Sequence, residues 1–261
     1  MRSLSIGATG MLAQQLNVEV LSNNIANMTT TGYKRQRAEF QDLLYQSFRR
    51  VGAASSDAGT IVPAGVQIGA GVQAAAVYRI HEQGNMQVTE NPLDLAVSGR
   101  GFFQVELPNG DTAYTRAGSF QLSPQGEIVT ADGYRVVGPG AIPEDAKQVA
   151  VNESGQVFAV IDGQVEPADL GQFEIATFAN ETGLEAIGDN LYLETPASGD
   201  VVVGTAGQPG FGTMKQGMLE TSNVNIVSEI TQLISAQRAY EMNSKVITTT
   251  DEMMRSVTNL R

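Results

Sequence analysis

The chemistry open to this chain is narrow. It has one histidine, His81, and no cysteine. A lone imidazole without thiolates does not complete a typical zinc site, and no disulfide framework can form. His81 reads as a polar residue at a strand end. Carboxylates are plentiful, with 28 Asp and Glu, so some pair must fall near the separation used in glycoside hydrolysis. With so many on one surface, that coincidence carries no assignment. Gly69-Ala-Gly71 and Gly99-Arg-Gly101 lack the strand-to-helix context of a phosphate loop and read as turns or bulges. No residue is nominated as catalytic, cofactor-binding or metal-ligating, and the expectation is a protein that is not an enzyme and carries no cofactor.

Two further polar groups are ambiguous. Lys34, Arg35, Arg37, Arg49 and Arg50 form a basic cluster. It reads either as a solvated connector or as a contact for an acidic face on a neighbouring copy, which salt would weaken. Asn23, Asn24, Asn27 and Asn243 lie on or beside apolar stripes. They read either as helix-ending residues or as register-setting amides, since a misplaced buried amide is left unpaired.

The elements that position these residues run helix, β-rich middle, helix. Leu4, Met11, Val18 and Ile25 recur every seven residues, and Leu12, Leu16 and Leu21 widen the stripe. This predicts a helix over 3–27 with a supercoiling seam, ended by Thr29-Thr30-Thr31 and Gly32. The C-terminal pattern is stronger. Ile226, Leu233, Tyr240, Ile247 and Met254 form one heptad row. Ala239, Val246, Met253 and Leu260 form a second, and Ala236, Asn243, Thr250 and Val257 a third. A helix over 226–260, capped by Asn223 or Asn225, would be roughly 50 Å long. The methionines Met11, Met242, Met253 and Met254 read as ordinary packing residues.

Between the helices the period is two. Val66, Ile68, Ala70, Val72, Ala74, Ala76, Tyr78 and Ile80 alternate with polar and small residues. They predict one half-buried strand, or two kinked at Gly69 and Gly71. Turn signals follow at Pro108-Asn109-Gly110, Pro124-Gln125-Gly126, Asp132-Gly133, Ser154-Gly155 and Asp162-Gly163. They separate apolar segments at 102–107, 127–130, 157–161 and 173–178, a spacing that predicts an antiparallel domain with barrel or sandwich character. The fold class is therefore α+β, with long N- and C-terminal heptad helices forming a coiled-coil domain. The divisions are 1–32, a connector at 33–71, a β-rich outer domain at 72–220, and 221–261.

Charge and hydropathy exclude several roles. The net charge of −12 is uneven: +3 over residues 1–50, −15 over 51–220 and zero over 221–261. An acidic surface of this kind disfavours nucleic acid. No segment approaches the roughly 20 apolar residues of a membrane span, so no direct membrane insertion is expected. The stretch 3–18, broken by Gly7, Gly10, Gln14, Gln15 and Asn17, does not read as a cleaved secretory signal. An antiparallel pair would hide one stripe per helix, but the stripes are wider than one seam. The surplus can be buried only by neighbours, and unlike surfaces meeting in succession build a ring or an open helix. Free monomers should therefore have weakly held helical ends that proteases trim.

Several motifs then bear a resemblance. Leu21-Ser-Asn-Asn-Ile-Ala-Asn-Met-Thr-Thr-Thr-Gly-Tyr-Lys34 is similar to the N-terminal signature of flagellar rod and hook proteins. Gly99-Arg-Gly-Phe-Phe-Gln-Val105, Tyr114-Thr-Arg-Ala-Gly-Ser-Phe120, Gly126 and Asp132-Gly-Tyr134 resemble the family's β domain. Leu219-Glu-Thr-Ser-Asn-Val-Asn225 and Gln237-Arg-Ala-Tyr-Glu-Met-Asn-Ser-Lys245 resemble its C-terminal motif. Within the family, hook proteins are usually much longer and proximal-rod members generally lack the segment at about 46–71. That segment, with Ile61, Pro63, Val66 and Ile68, looks like the insertion that stiffens the distal rod. A proximal-rod or hook subunit is the alternative.

The resemblance implies a structural subunit of the basal body spanning periplasm to outer membrane. It implies export by the flagellar type III apparatus without a cleaved signal peptide, and self-assembly into an open helical homopolymer that transmits torque. The implied partners are proximal-rod proteins, hook protein, P-ring and L-ring proteins and a rod cap. The implied assembly interface comprises Leu4, Met11, Val18, Leu21, Ile25, Asn24, Asn27, Ile226, Leu233, Tyr240, Asn243, Ile247 and Met254.

Overall fold

The N-terminal heptad stripe does form a helix, α1, Arg2–Ala26. Beyond it the chain turns at Thr30, whose N–H donates to the Asn27 carbonyl. It then reaches Gly32 at φ +69°. A Cβ at Gly32 would sit 2.6 Å from the Ala117 nitrogen, so this position needs glycine both for its left-handed backbone and for its close approach. The C-terminal helix, α2, runs Ile226–Thr258. Asn225 is its cap: Oδ1 accepts from the Val227 and Ser228 amides at 3.1 and 3.2 Å. The computed structural model describes residues 2–49, 64–161 and 166–258. The expected turn at Asp162-Gly163 and the heptad position Leu260 lie outside the described residues, as does the side chain of Val257.

The fold is α+β and divides into two units. The first comprises Met1–Ile25, Gln36–Tyr78 and Asn225–Arg261. In it α1 and α2 run antiparallel, since Gly7 lies against Ile247, Gly10 against Asn243 and Asn24 against Glu229. Two strand pairs accompany the helices, Gln36–Asp42 with Val72–Arg79 and Tyr45–Arg49 with Val66–Gly69. The alternating run at 66–80 is thus two strands, interrupted at Ala70-Gly71. At Gly71 (φ +127°) a Cβ would fall 2.2 Å from the Thr9 hydroxyl of α1. Burial along the alternating set is mixed: Ala70, Val72, Tyr78 and Ile80 are half-buried, whereas Val66 and Ile68 remain 50% and 43% exposed, since a two-stranded ribbon offers little to cover its apolar face.

The second unit, Ala26–Arg35 with Arg79–Val224, is built of antiparallel sheets. Strands Phe102–Glu106, Thr112–Thr115, Glu174–Thr177 and Leu191–Leu193 lie inside a nine-stranded sheet. Ala146–Val151, Gln156–Ile161 and Ala168–Gln172 form a three-stranded one. The hairpins turn where the dipeptides predict, with Gly110, Gly126, Gly133 and Gly155 all at positive φ. Phe103, Phe120 and Phe173 lead the core with Val97, Ile175 and Met214. Phe103 meets Phe120 edge-on with ring centres 5.1 Å apart. Phe102, Tyr114, Phe178 and Tyr192 form a second aromatic cluster.

Candidate assembly surface

The helical pair buries one seam and leaves the rest of its apolar surface open. On α2 the buried row is Glu229, Ala236 and Thr250, with Asn243 half-buried between them. Leu233, Ile247 and Met254 are half-buried beside it. On α1 the buried residues are Gly7, Ala13, Val20, Leu21 and Asn24. Leu4, Met11, Val18, Ile25 and Asn27 are half-buried. Glycine at 7 and 10 permits close approach, since a Cβ at Gly10 would stand 2.9 Å from the Asn243 amide nitrogen.

The flanks of α2 are another matter. Ile226 and Tyr240 are each 43% exposed, Val227 75%, Met242 65% and Met253 60%. Ile230, Ile234 and Val246 are similarly exposed. These side chains lie to both sides of the seam, so they present two separate apolar faces. Beside the seam, Gln15, Val18 and Glu19 of α1 and Gln237, Tyr240 and Glu241 of α2 line an open groove of about 510 Å³. Val66 and Ile68 are exposed on their ribbon, while Ile61 and Pro63 lie outside the described residues.

Asn24 does more than end a helix. Its side-chain amide donates to the Gln36 carbonyl at 2.8 Å and accepts from the Gln36 N–H at 2.8 Å, as a strand neighbour would. It also donates to Glu229 Oε2 at 3.1 Å. One buried amide thus joins α1, α2 and the first strand of the helical unit. Glu229 was legible in principle, because it stands seven residues before Ala236 in the row that Asn243 and Thr250 continue.

Lys34 departs from both readings of the basic cluster: it is neither solvated nor available to a neighbour, being 1% exposed. In the β-rich unit its ammonium lies 2.5 Å from Glu220 Oε1 and donates to the Glu82 carbonyl at 2.8 Å. Arg116 Nε holds the other oxygen of Glu220 at 2.9 Å. The remaining Arg116 donors are spent on the Val97, Gly99 and Gly101 carbonyls. Burial pushes the Lys34 ammonium below the usual lysine range, and the Glu220 carboxylate opposes that shift. Close by, Asn223 accepts from the Arg35 amide at 2.7 Å and donates to the Ile80 and Glu82 carbonyls. Asn223 therefore serves as a clip, not as the cap of α2. Local sequence could not reveal this cluster, since Lys34 and Glu220 are 186 residues apart.

His81 stands beside these cations, edge-on to Phe102 and Tyr192. Burial first, then Lys34, Arg79 and Arg116, push its imidazole down to about 4. Its pKa in the unfolded chain is about 6.5. The neutral form is favoured by folding, so its contribution is complete above pH 6.5 and is lost as pH falls towards 4. From this group alone, unfolding should become about 2 kcal/mol easier between pH 7 and pH 5. Urea midpoints of the parent and of His81→Gln test this, and the variant should keep only the shallower slope of its carboxylates.

Three family models match in order: "Flagella basal body rod protein" at residues 4–34, "Flagellar hook protein FlgE/F/G D1 domain" at 96–159, and "Flagellar basal body rod FlgEFG protein C-terminal" at 215–260. The first and last cover the helices, and the middle one lies in the sheet unit. The class is that of flagellar rod and hook proteins. The chain is 58% identical to the flagellar basal-body rod protein FlgG of Caulobacter vibrioides over 100% of both chains. It is 55% identical to that of Agrobacterium fabrum over 97% of both. With the FlgG of Bacillus subtilis it shares 41% over 100% of this chain and 99% of the other. The chain belongs to the FlgG family of flagellar basal-body rod proteins. It is a structural subunit of the basal body, most like the distal-rod member, and not an enzyme.

Proposed function

We propose that the chain polymerises into the distal rod as a stiff, hollow helical shaft that carries motor torque to the hook and passes exported subunits through its centre. The observation that carries this is the exposed apolar surface of α2. A 33-residue helix whose seam is filled by α1 keeps large aliphatic side chains open on both flanks. At ~25 cal/mol per Å² such surface supplies several kcal/mol per chain when neighbours cover it.

In this reading the helices form an inner coiled-coil tube. Leu4, Met11, Val18, Leu21, Asn24 and Ile25 of α1 contribute to it with Asn27 just beyond its end, as do Ile226, Leu233, Tyr240, Asn243, Ile247 and Met254 of α2. The ribbon residues Val66 and Ile68, with Ile61 and Pro63, make the stiffening contacts to adjacent copies. The β-rich unit holds twenty Asp and Glu against eight Lys and Arg, so it accounts for the whole net charge of −12, and the helical unit is neutral. Turned outward, that charge keeps the shaft soluble inside the P-ring and L-ring proteins. Proximal-rod proteins and hook protein adjoin it, and a rod cap guides growth. The subunits arrive through the flagellar type III export apparatus without a cleaved signal peptide, and the shaft spans periplasm to outer membrane. Among the described residues no helix is long and apolar enough to cross a membrane.

Electron microscopy of concentrated purified protein should show straight hollow filaments. Amorphous aggregates alone, or no assembly at any concentration, would remove the proposal.

A further inference from the structure

The sheet edges of the β-rich unit are unequally defended. An edge strand offers unpaired N–H and C=O groups, and folds usually blunt it with charge, proline, a bulge or shortness. Among the described edges of the nine- and three-stranded sheets, Glu185–Gly188 carries Glu185 and an irregular register. Gln121–Leu122 has only two residues. Ala146–Val151 carries Lys147 and a register shift. Ala168–Gln172 carries Asp169 and Gly171 at φ +106°.

The remaining edge, Val202–Thr205, has none of these devices. It pairs with Glu174–Thr177 alone, in four regular steps. Residues 201–206 read Val-Val-Val-Gly-Thr-Ala, without charge or proline. Val202 is 56% exposed and its neighbour Val203, pointing to the opposite face, 43%.

The helical unit has a strand of matching character. Tyr45–Arg49 is exposed at all five residues and, among the described residues, pairs with Val66–Gly69 alone. Tyr45 and Phe48 are each 59% exposed, and the adjoining Leu44 is 88% exposed. Arg49 is exposed, and residues 43–49 contain no acidic side chain. The open edge is framed by exposed Asp200 and by exposed Glu174, which pairs opposite Thr205. The two strands both expose apolar side chains, and the cationic Arg49 end of one suits the Asp200 that flanks the uncharged edge of the other.

We infer that Val202–Thr205 is completed, in the assembled state, by strand Tyr45–Arg49 of a second copy of this chain. The added strand extends the nine-stranded sheet by main-chain hydrogen bonds and, running antiparallel with Ser47 opposite Val203, brings Arg49 opposite Val201, next to Asp200. Because a ribbon strand meets a different surface on its neighbour, the contact is heterologous and propagates along an open helix. The inference rests on the polymer reading above.

The absence of cysteine makes the test clean. Two single variants, Ser47→Cys and Val203→Cys, are mixed, assembled and treated with a short bis-maleimide. A Ser47–Val203 linked dimer is expected in filaments. Neither Val203→Cys alone nor a Ser47→Cys and Leu122→Cys mixture should give one. Adding Val203→Lys to the parent should raise the concentration needed for assembly at least several-fold while leaving the monomer folded. Filaments that form without the 47–203 link overturn this inference and leave polymerisation standing. So does linkage within Val203→Cys alone, which would mean that two like edges meet. So does linkage inside dilute monomers of a chain that carries both Ser47→Cys and Val203→Cys. Failure of every sample, parent included, to form filaments overturns both.

Discussion

Replacing Glu220 by alanine lowers the stability of the β-rich unit by about 3–5 kcal/mol, the cost of removing one member of a buried ion cluster. The size follows from what stays behind. Lys34 and Arg116 are 1% and 5% exposed, and Glu220 is the carboxylate paired with both. Its Oε1 also accepts from the Gly84 amide at 2.8 Å, and its main-chain carbonyl accepts from Gly32 at 2.8 Å. Without the side chain, two cations remain in a poorly solvated site, met by carbonyls and by the Glu181 carboxylate that lines the same cavity but is engaged with Arg100. By contrast Glu181→Ala, which breaks a pair whose Arg100 side is 61% exposed, should cost less than about 1 kcal/mol. Combining Glu220→Ala with Lys34→Met should cost less than the sum of the single changes, because the second removes a cation that the first orphaned. Urea denaturation followed by tyrosine fluorescence gives the numbers, since the chain has seven tyrosines and no tryptophan. A Glu220→Ala loss below 1 kcal/mol would mean that the cluster does not hold the unit together.

That cluster also marks where sequence reading stops. The two helices are legible because their signal is periodic and local. Ala236, Asn243 and Thr250 repeat at seven, and Asn225 supplies the cap one residue before Ile226. The hairpins are legible for the same reason: a turn that needs positive φ calls for glycine within a few residues of a predictable place. Lys34 is different. Read locally it belongs with Arg35, Arg37 and Arg49 in a basic run, and its neighbours give no sign that one member faces inward. Its partner arrives from the far end of the sheet unit, and only the fold brings Glu220, Arg116 and the Glu82 carbonyl around it. Alternation at 66–80 misleads in a related way. It specifies which face is apolar but not whether anything covers that face. In one copy of the chain, Val66 and Ile68 stay largely open.

The same openness defines the second large effect, on assembly. Ile230 is 43% exposed on the flank of α2, and Val246 is 46% exposed on the opposite flank. A glutamate at either position costs the lone chain little, because the side chain can stay in water. In an array it forfeits about 1–2 kcal/mol of apolar burial and adds about 1–2 kcal/mol for desolvating a carboxylate without a partner. Together these are about 2–4 kcal/mol, or roughly 30- to 1,000-fold in the concentration at which polymer appears.

In the proposed polymer, sister molecules cover the flanks of α2. Sedimentation velocity across a concentration series, for the parent and for Ile230→Glu, reads this directly. The parent should pass from monomer to large polymer at a threshold. The variant should keep the parent's helix content and show no polymer until at least about 30 times that concentration. A parent that stays a monomer throughout, or a variant that assembles at the parent's threshold, would contradict it.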